Sequence, residues 1–206
     1  MHDGFLQAHT TGLFPRWRHP EYRIPTPDPH GSFEWVMRPT GGTTRAKFYT
    51  DGSRMDDKRN ELIRFGWAFV ALDVEEHIIA IARGIPPHWI RDIPGTEAWA
   101  LYQAGLKAEP GSTFRSDCKP CVDAITQGPT VACSAKRPLA RVNRLLHHVF
   151  DDAEPGSVVW MPAHTTEACV GVKRLSNGSL LTASDRKANA RALSCVTRSE
   201  ERRDTA

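Results

Sequence analysis

The stretch from Phe65 to Val74 places the tightest limit on how this chain can fold. Read with a period of two, Phe65, Trp67, Phe69 and Ala71 fall on one side and Gly66, Ala68, Val70 and Leu72 on the other; none of these residues carries a charge. A strand that is apolar on both faces has to be covered on both, so it belongs in the middle of a sheet. Asp73-Val74-Glu75-Glu76 offers a turn and His77–Gly84 a returning strand, which makes a hairpin. Ahead of the hairpin, Ala46–Thr50 is a short apolar strand that stops at Asp51-Gly52-Ser53.

Beyond the hairpin the period changes. Ile85–Pro94 is broken by prolines. Thr96 can N-cap a helix reaching about Ala108, with Ala98, Leu101, Tyr102 and Gly105 on one face. Thr113–Ser116 is a short strand ending at Asp117, and a helix follows over Lys119–Thr126. Leu139, Val142, Leu145, Leu146, Val149 and Phe150 recur at helical spacing, which predicts a helix over Pro138–Phe150 with the proline in its first turn. Ser157–Met161 is another strand, and a long loop leads to a last helix at about Ser184–Ser194. Three hairpin-type strands followed by alternating helices and strands imply an α/β domain, a mixed sheet flanked by helices, over residues 45–195.

The two ends read differently. In residues 1–44, Pro15, Pro20, Pro25, Pro27, Pro29 and Pro39 interrupt regular structure, and Gly41-Gly42-Thr43-Thr44 is a flexible joint. Phe14, Trp17, Tyr22, Phe33 and Trp35 make this segment too apolar for a linker, so an extended arm is expected, packed on the domain or belonging to an upstream module. Residues 196–206 are a short charged tail, expected to fray. With 40% hydrophobic and 25% charged residues the chain can form a core without staples. The net charge of +3 permits nucleic-acid binding without arguing for it. No apolar run is long enough for a membrane helix, and the first residues do not read as a secretory signal. Five scattered cysteines suit a reducing compartment, hence an intracellular place in cytoplasm or nucleus.

Three carboxylates stand where chemistry could use them. Asp51 closes the first strand, Asp117 the fourth, and Glu97 opens the helix between. Ligands of open α/β sheets gather at strand ends. If the first and fourth strands are neighbours, Asp51 and Asp117 lie side by side and Glu97 can point at the same spot. Three such groups cannot all stay ionised without a cation. Oxygen-only ligation suits Mg²⁺, and two such ions can serve both the attacking and leaving oxygens of a phosphodiester.

These segments resemble one family. Phe48-Tyr49-Thr50-Asp51-Gly52-Ser53 resembles the first-strand motif of type 1 RNase H domains. Gly95-Thr96-Glu97-Ala98-Trp99-Ala100-Leu101 is similar to the family's helix with the catalytic Glu, and Ser116-Asp117 with Cys118–Ile125 to its strand-end Asp and following helix. Val158–Thr165 is similar to the strand and loop that present a catalytic His, here His164. The resemblance spans about Ala46 to Leu193, with all elements in order. It implies a five-stranded sheet ordered 3-2-1-4-5 and hydrolysis of the RNA strand of RNA–DNA hybrids with two Mg²⁺ ions, Mn²⁺ being a substitute. It assigns Asp51, Glu97 and Asp117 to the metal and His164 to proton movement or product release. It also suggests an origin beside a reverse transcriptase in a mobile element, and a monomer.

One position departs. The family carries a fourth carboxylate four residues after an Asn of the last helix; here Asn189 is followed at that distance by Leu193. Asp185, one turn before Asn189, is the candidate replacement as catalytic and metal residue. Its competing role is to cap the final helix, with Ser184 as a rival cap.

Other residues carry two readings. Glu97 could serve the helix dipole and Asp117 could N-cap the next helix. Arg137, Arg141, Arg144 and His148 form a stripe that, with Lys119, is either a solvated helix face or a track for phosphates. Trp89 and Trp160 could stack on bases or be buried. Cys118 and Cys121 form a C-x-x-C without the further ligands of a zinc site or a thioredoxin-like setting, and read as small residues starting a helix. Three functions follow: an RNase H-type endonuclease, a catalytically impaired module of the same fold that binds nucleic acid or a protein partner, or another nuclease of the fold acting on DNA.

Overall fold

The computed structural model describes residues 30–55 and 64–201. Its centre is a mixed six-stranded sheet. In chain order the strands are β1 (Glu34–Met37), β2 (Lys47–Met55), β3 (Arg64–Leu72), β4 (Ile78–Gly84), β5 (Thr113–Ser116) and β6 (Val158–Trp160). They lie in the spatial order β1-β4-β3-β2-β5-β6. The strand that is apolar on both faces, β3, sits between β2 and β4 and pairs antiparallel with each. Without β1 the order is the expected 3-2-1-4-5.

The sixth strand is the main difference from the expected five. Glu34–Met37 falls in the segment read as an arm, yet it pairs antiparallel with β4 at the edge of the sheet. Its residues are largely exposed, so no apolar period marks it, and it exists through pairing. Phe33 and Trp35 pack edge-on, and Trp35 meets Phe69 of the core. The rest of the supposed arm, residues 1–29, and residues 202–206 of the tail lie outside the described residues.

Helices cover both faces. On one side lie α1 (Ile93–Gly105), α2 (Lys119–Gln127), the single turn α3 (Pro129–Ala132) and α4 (Ala140–Phe150), over a core that includes Phe48, Trp67, Phe69, Leu101, Phe114, Val142 and Leu146. On the other lies α5 (Ala183–Glu201), closing a second core of Tyr49, Val70, Val159, Met161, Leu181, Ala188, Ala192 and Val196. Alternation along β2 sends Phe48 to the first core and Tyr49 to the second, which is why both its faces are apolar.

Several helix limits move from their expected places. Helix α4 begins at Ala140, so Pro138 lies in the turn before it and not in its first turn, and α1 ends at Gly105. The first helix starts at Ile93, not after Thr96. Asp92 is its N-cap, accepting from the Gly95 amide at 2.6 Å, with Pro94 in the first turn where its missing N–H costs nothing. The last helix runs on through the supposed tail to Glu201.

Candidate metal centre

Register places the acids. β2 and β5 are parallel, with Phe48 opposite Phe114 and Thr50 opposite Ser116. The next residues along are Asp51 and Asp117, so they leave the paired segment together. The expectation that Asp51 ends its strand is corrected: β2 continues to Met55 against β3, with Asp51 opposite Ala68. What ends at Thr50 is the pairing with β5. The sheet opens there, and two carboxylates stand in the opening.

Glu97 comes from α1, in its second turn. That is one turn deeper than expected, where the helix dipole offers a carboxylate little. Gly52 lets it in. A Cβ on Gly52 would lie 2.5 Å from the Glu97 amide nitrogen and 2.8 Å from its Cα, so strand and helix touch only because no side chain intervenes. Each of Asp51, Glu97 and Asp117 offers an oxygen within 4.8 Å of the others. Asp51 is 5% and Glu97 6% exposed.

Their electrostatics are unfavourable as they stand. Burial, then the charge on Asp117, pushes the Asp51 carboxyl up to about 7. Burial, then Asp51 and Asp117, holds Glu97 well above the ordinary glutamate range, with the Gly52 backbone pulling weakly the other way. Burial also raises Asp117, against the Asn189 amide and the charge of His164. Oδ2 of Asp51 and Oε2 of Glu97 are buried with no hydrogen-bond partner. Among the described residues no lysine or arginine charge offsets the group. An all-oxygen, acidic, partly unsatisfied set of this kind fits a hard divalent cation.

Of the five residues expected at the centre, the structure brings three together. His164 is exposed in the loop after β6, in the left-handed region at φ 48°, near enough for its charge to act on Asp117. Asp185 is not part of the group. One of its oxygens accepts from Tyr49 Oη at 2.7 Å; the other accepts from the Thr182 amide at 2.9 Å and hydroxyl at 2.7 Å. The Asp185 amide in turn donates to Thr182 Oγ1 at 3.0 Å. This is a capping box that starts α5, so Thr182 is the cap where Ser184 had been the rival. Burial works against the Asp185 carboxylate, but the bonds from Thr182 and Tyr49 hold it below the ordinary aspartate range.

The residue of α5 that does reach the centre is Asn189. Its Nδ2 lies 3.4 Å from Asp117 Oδ2, and its Oδ1 is buried without a partner. The sequence had marked Asn189 only as the reference point for Leu193, which is half-buried one turn further on. Thr182-x-x-Asp185 was the readable signal, since a capping box fixes the helix start.

Two tryptophans expected as possible stacking surfaces hold protein groups. Trp160 Nε1 donates to the Asp117 carbonyl at 3.0 Å and so anchors one member of the acidic group through its backbone. Trp89 lies under the Arg141 guanidinium, 4.0 Å from the ring centre. Arg137, Arg141 and Arg144 are exposed along the start and outer face of α4. Lys119 is exposed and paired with Asp123 at 2.7 Å. Next to Asp117, the Cys118 and Cys121 sulfurs are 3.1 Å apart, and Cys121 Sγ is 3.4 Å from the Pro94 carbonyl.

Comparison with solved structures decides the fold. The PFV RNase H domain matches at a TM-score of 0.50 and 13% identity, over 77% of this chain and 96% of that one. This is an RNase H-like fold. Weaker likenesses are to a type 1 RNase H with the type 2 active-site motif, at TM-score 0.47 and 13% identity over 75% of this chain and 73% of that one, and to the prototype foamy virus protease-reverse transcriptase, at 0.48 and 13% over 84% and 22%. No family model matches the sequence, and no curated protein matches it. Among the described residues of the RNase H-like domain, no helix is long and apolar enough to cross a membrane.

Proposed function

We propose that this protein is a divalent-metal-dependent endonuclease that hydrolyses the RNA strand of RNA–DNA hybrids. The observation that carries the reading is the buried group of Asp51, Glu97 and Asp117, with unpaired oxygens, at the point where β2 and β5 of an RNase H-like sheet part. These three residues would hold Mg²⁺, as two ions, with Mn²⁺ as a substitute. When bound, such ions supply positive charge to the attacking and leaving oxygens of the phosphodiester.

The chain's own residues have separable tasks. Asp51 and Glu97, deeply buried, fix the inner side of the centre, and Asp117, more open, is the side from which substrate approaches. Trp160 and Asn189 position Asp117 from its backbone and its carboxylate. His164, on an exposed loop, can carry a proton to or from the leaving group. Lys119, Arg137, Arg141 and Arg144 would follow the phosphates of the hybrid, with 2′-hydroxyl contacts marking the RNA strand. Asp185 supports the site from a distance, by starting α5 in the register that delivers Asn189.

A second reading is favoured by one observation: the side chain that α5 brings to the centre is a neutral amide. A weaker metal site follows, and with it a module that binds hybrids and cuts slowly or not at all. Cleavage of an end-labelled hybrid in Mg²⁺ and in Mn²⁺ separates the two, using wild type, Asp51→Asn and Asn189→Asp. The endonuclease reading expects cutting by wild type, none by Asp51→Asn, and tighter Mn²⁺ binding with faster cutting by Asn189→Asp. Salt-sensitive hybrid binding without turnover in either metal, unchanged by Asp51→Asn, would replace it with the binding module.

A further inference from the structure

The Cys118–Cys121 pair has no part in the function above, and its surroundings are unusual. Cys118 is the N-cap residue of α2 and Cys121 lies one turn in. Their sulfurs are 3.1 Å apart, about 1 Å longer than a disulfide bond. Both are free thiols, Cys118 9% exposed and Cys121 fully buried. The pair joins the two elements that carry the acids. Cys118 follows Asp117 in the chain and its amide donates to Ser116 Oγ at 3.2 Å, while Cys121 Sγ lies 3.4 Å from the carbonyl of Pro94, three residues before Glu97. A thiol pair merely filling space would not need to sit at this junction.

We propose that Cys118 and Cys121 are a disulfide-forming modification site, and that closing the bridge weakens the neighbouring cation site. The second half rests on the metal-centre reading of Asp51, Glu97 and Asp117. A peroxide is the oxidant. The Cys118 sulfur, the more accessible, attacks a peroxide oxygen; the O–O bond breaks, water leaves, and Cys118 becomes a sulfenic acid. The Cys121 sulfur then attacks the Cys118 sulfur, the S–O bond breaks and a second water leaves with the remaining thiol proton. Two electrons pass from the dithiol to the peroxide, and a dithiol reductant reverses the change by exchange.

Geometry ties this chemistry to Asp117. Cys121 is held inside the helix among core residues, so the approach of the sulfurs falls on Cys118, which is not yet helical at φ −82° and ψ 90°. Asp117 is bonded to the residue that moves. Oxidation also removes the thiol proton that Cys121 shares with Cys118 and the Pro94 carbonyl, loosening the start of α1 that carries Glu97.

Two measurements on the whole protein test the idea. Differential alkylation with peptide mass mapping, before and after hydrogen peroxide and again after dithiothreitol, should find one reversible Cys118–Cys121 bridge. Mn²⁺ titration followed by electron paramagnetic resonance should find affinity in the bridged protein lowered about tenfold, the scale expected when support around a metal ligand is lost. The Cys118→Ser and Cys118→Ala variants should bind Mn²⁺ equally with and without peroxide. Two free thiols at Cys118 and Cys121 under peroxide that oxidises half-buried Cys133 would overturn the proposal, as would a bridged protein binding Mn²⁺ like the reduced one. A bridge that forms in a protein that binds no Mn²⁺ even when reduced would support the modification site and remove the metal reading instead.

Discussion

With its carboxyl pushed up to about 7 by burial and by Asp117, Asp51 gives the cation-free protein a definite pH dependence. A carboxyl raised in the folded state is protonated there at pH values where the unfolded chain is already ionised. Its contribution to stability is therefore complete below the ordinary value of 3.8 and is lost as pH rises through about 7. Glu97 and Asp117 shift the same way. Asp185 shifts the other way, and its contribution is lost only on acidification below the ordinary aspartate range. In a chelator, the melting temperature should fall between pH 5 and pH 8, and Mg²⁺ should restore most of the loss at pH 8. A flat profile in chelator, measured calorimetrically, would contradict the buried acidic group. Asp185 allows a second test. Asp185→Ala breaks the capping box with Thr182 and leaves buried Tyr49 Oη without its partner, which should cost about 1–3 kcal/mol in denaturant unfolding. Its Mn²⁺ affinity should stay that of wild type, whereas a metal ligand would lose it.

Among the elements, strand β2 and helix α1 depend on one another through Gly52. Their backbones meet at a distance no Cβ permits, so Gly52→Ala should push the Glu97 turn away from the strand. A lower melting temperature and weaker Mn²⁺ binding should appear together; a variant with full affinity would mean that the contact does not position Glu97. The same pair shows what sequence alone can convey. The side-by-side placement of Asp51 and Asp117 was legible because each directly follows a short stretch read as a strand, and parallel register does the rest. The start of α1 was not. Thr96 is a good cap by type, but Asp92 reaches the Gly95 amide first and Pro94 fits the turn between. For α5 the uncertainty was one helical turn. Asp185 and Asn189 differ by that turn, and which one faces Asp117 depends on a capping contact at Thr182 and on packing against β2 and β3, neither of which a period of 3.6 encodes.

At the scale of the whole molecule, β3 was legible as a central strand because two apolar faces require two covering layers. The edge strand β1 was not, since Glu34–Met37 gains its order from main-chain pairing with β4, distant in sequence. The distribution of charge is also a property of the whole. Arg137, Arg141 and Arg144 face solvent on the α4 side of the sheet, and Trp89 holds one of them in place. If this face follows a phosphate backbone, Arg141→Ala and Arg144→Ala should each weaken hybrid binding and reduce the slope of log affinity against log salt by about 1. An unchanged slope in both would make the stripe a solvated face. The parting of β2 from β5 at Thr50 reaches further than the siting of two acids. Up to Thr50 the strand is clamped on both sides, and from Asp51 to Met55 on one. Along a single strand, amide hydrogens facing β5 should thus exchange with deuterium slowly in the first half and quickly in the second. A bound cation would even out the two rates, so the timing of isotope uptake becomes a reporter of whether the centre is loaded.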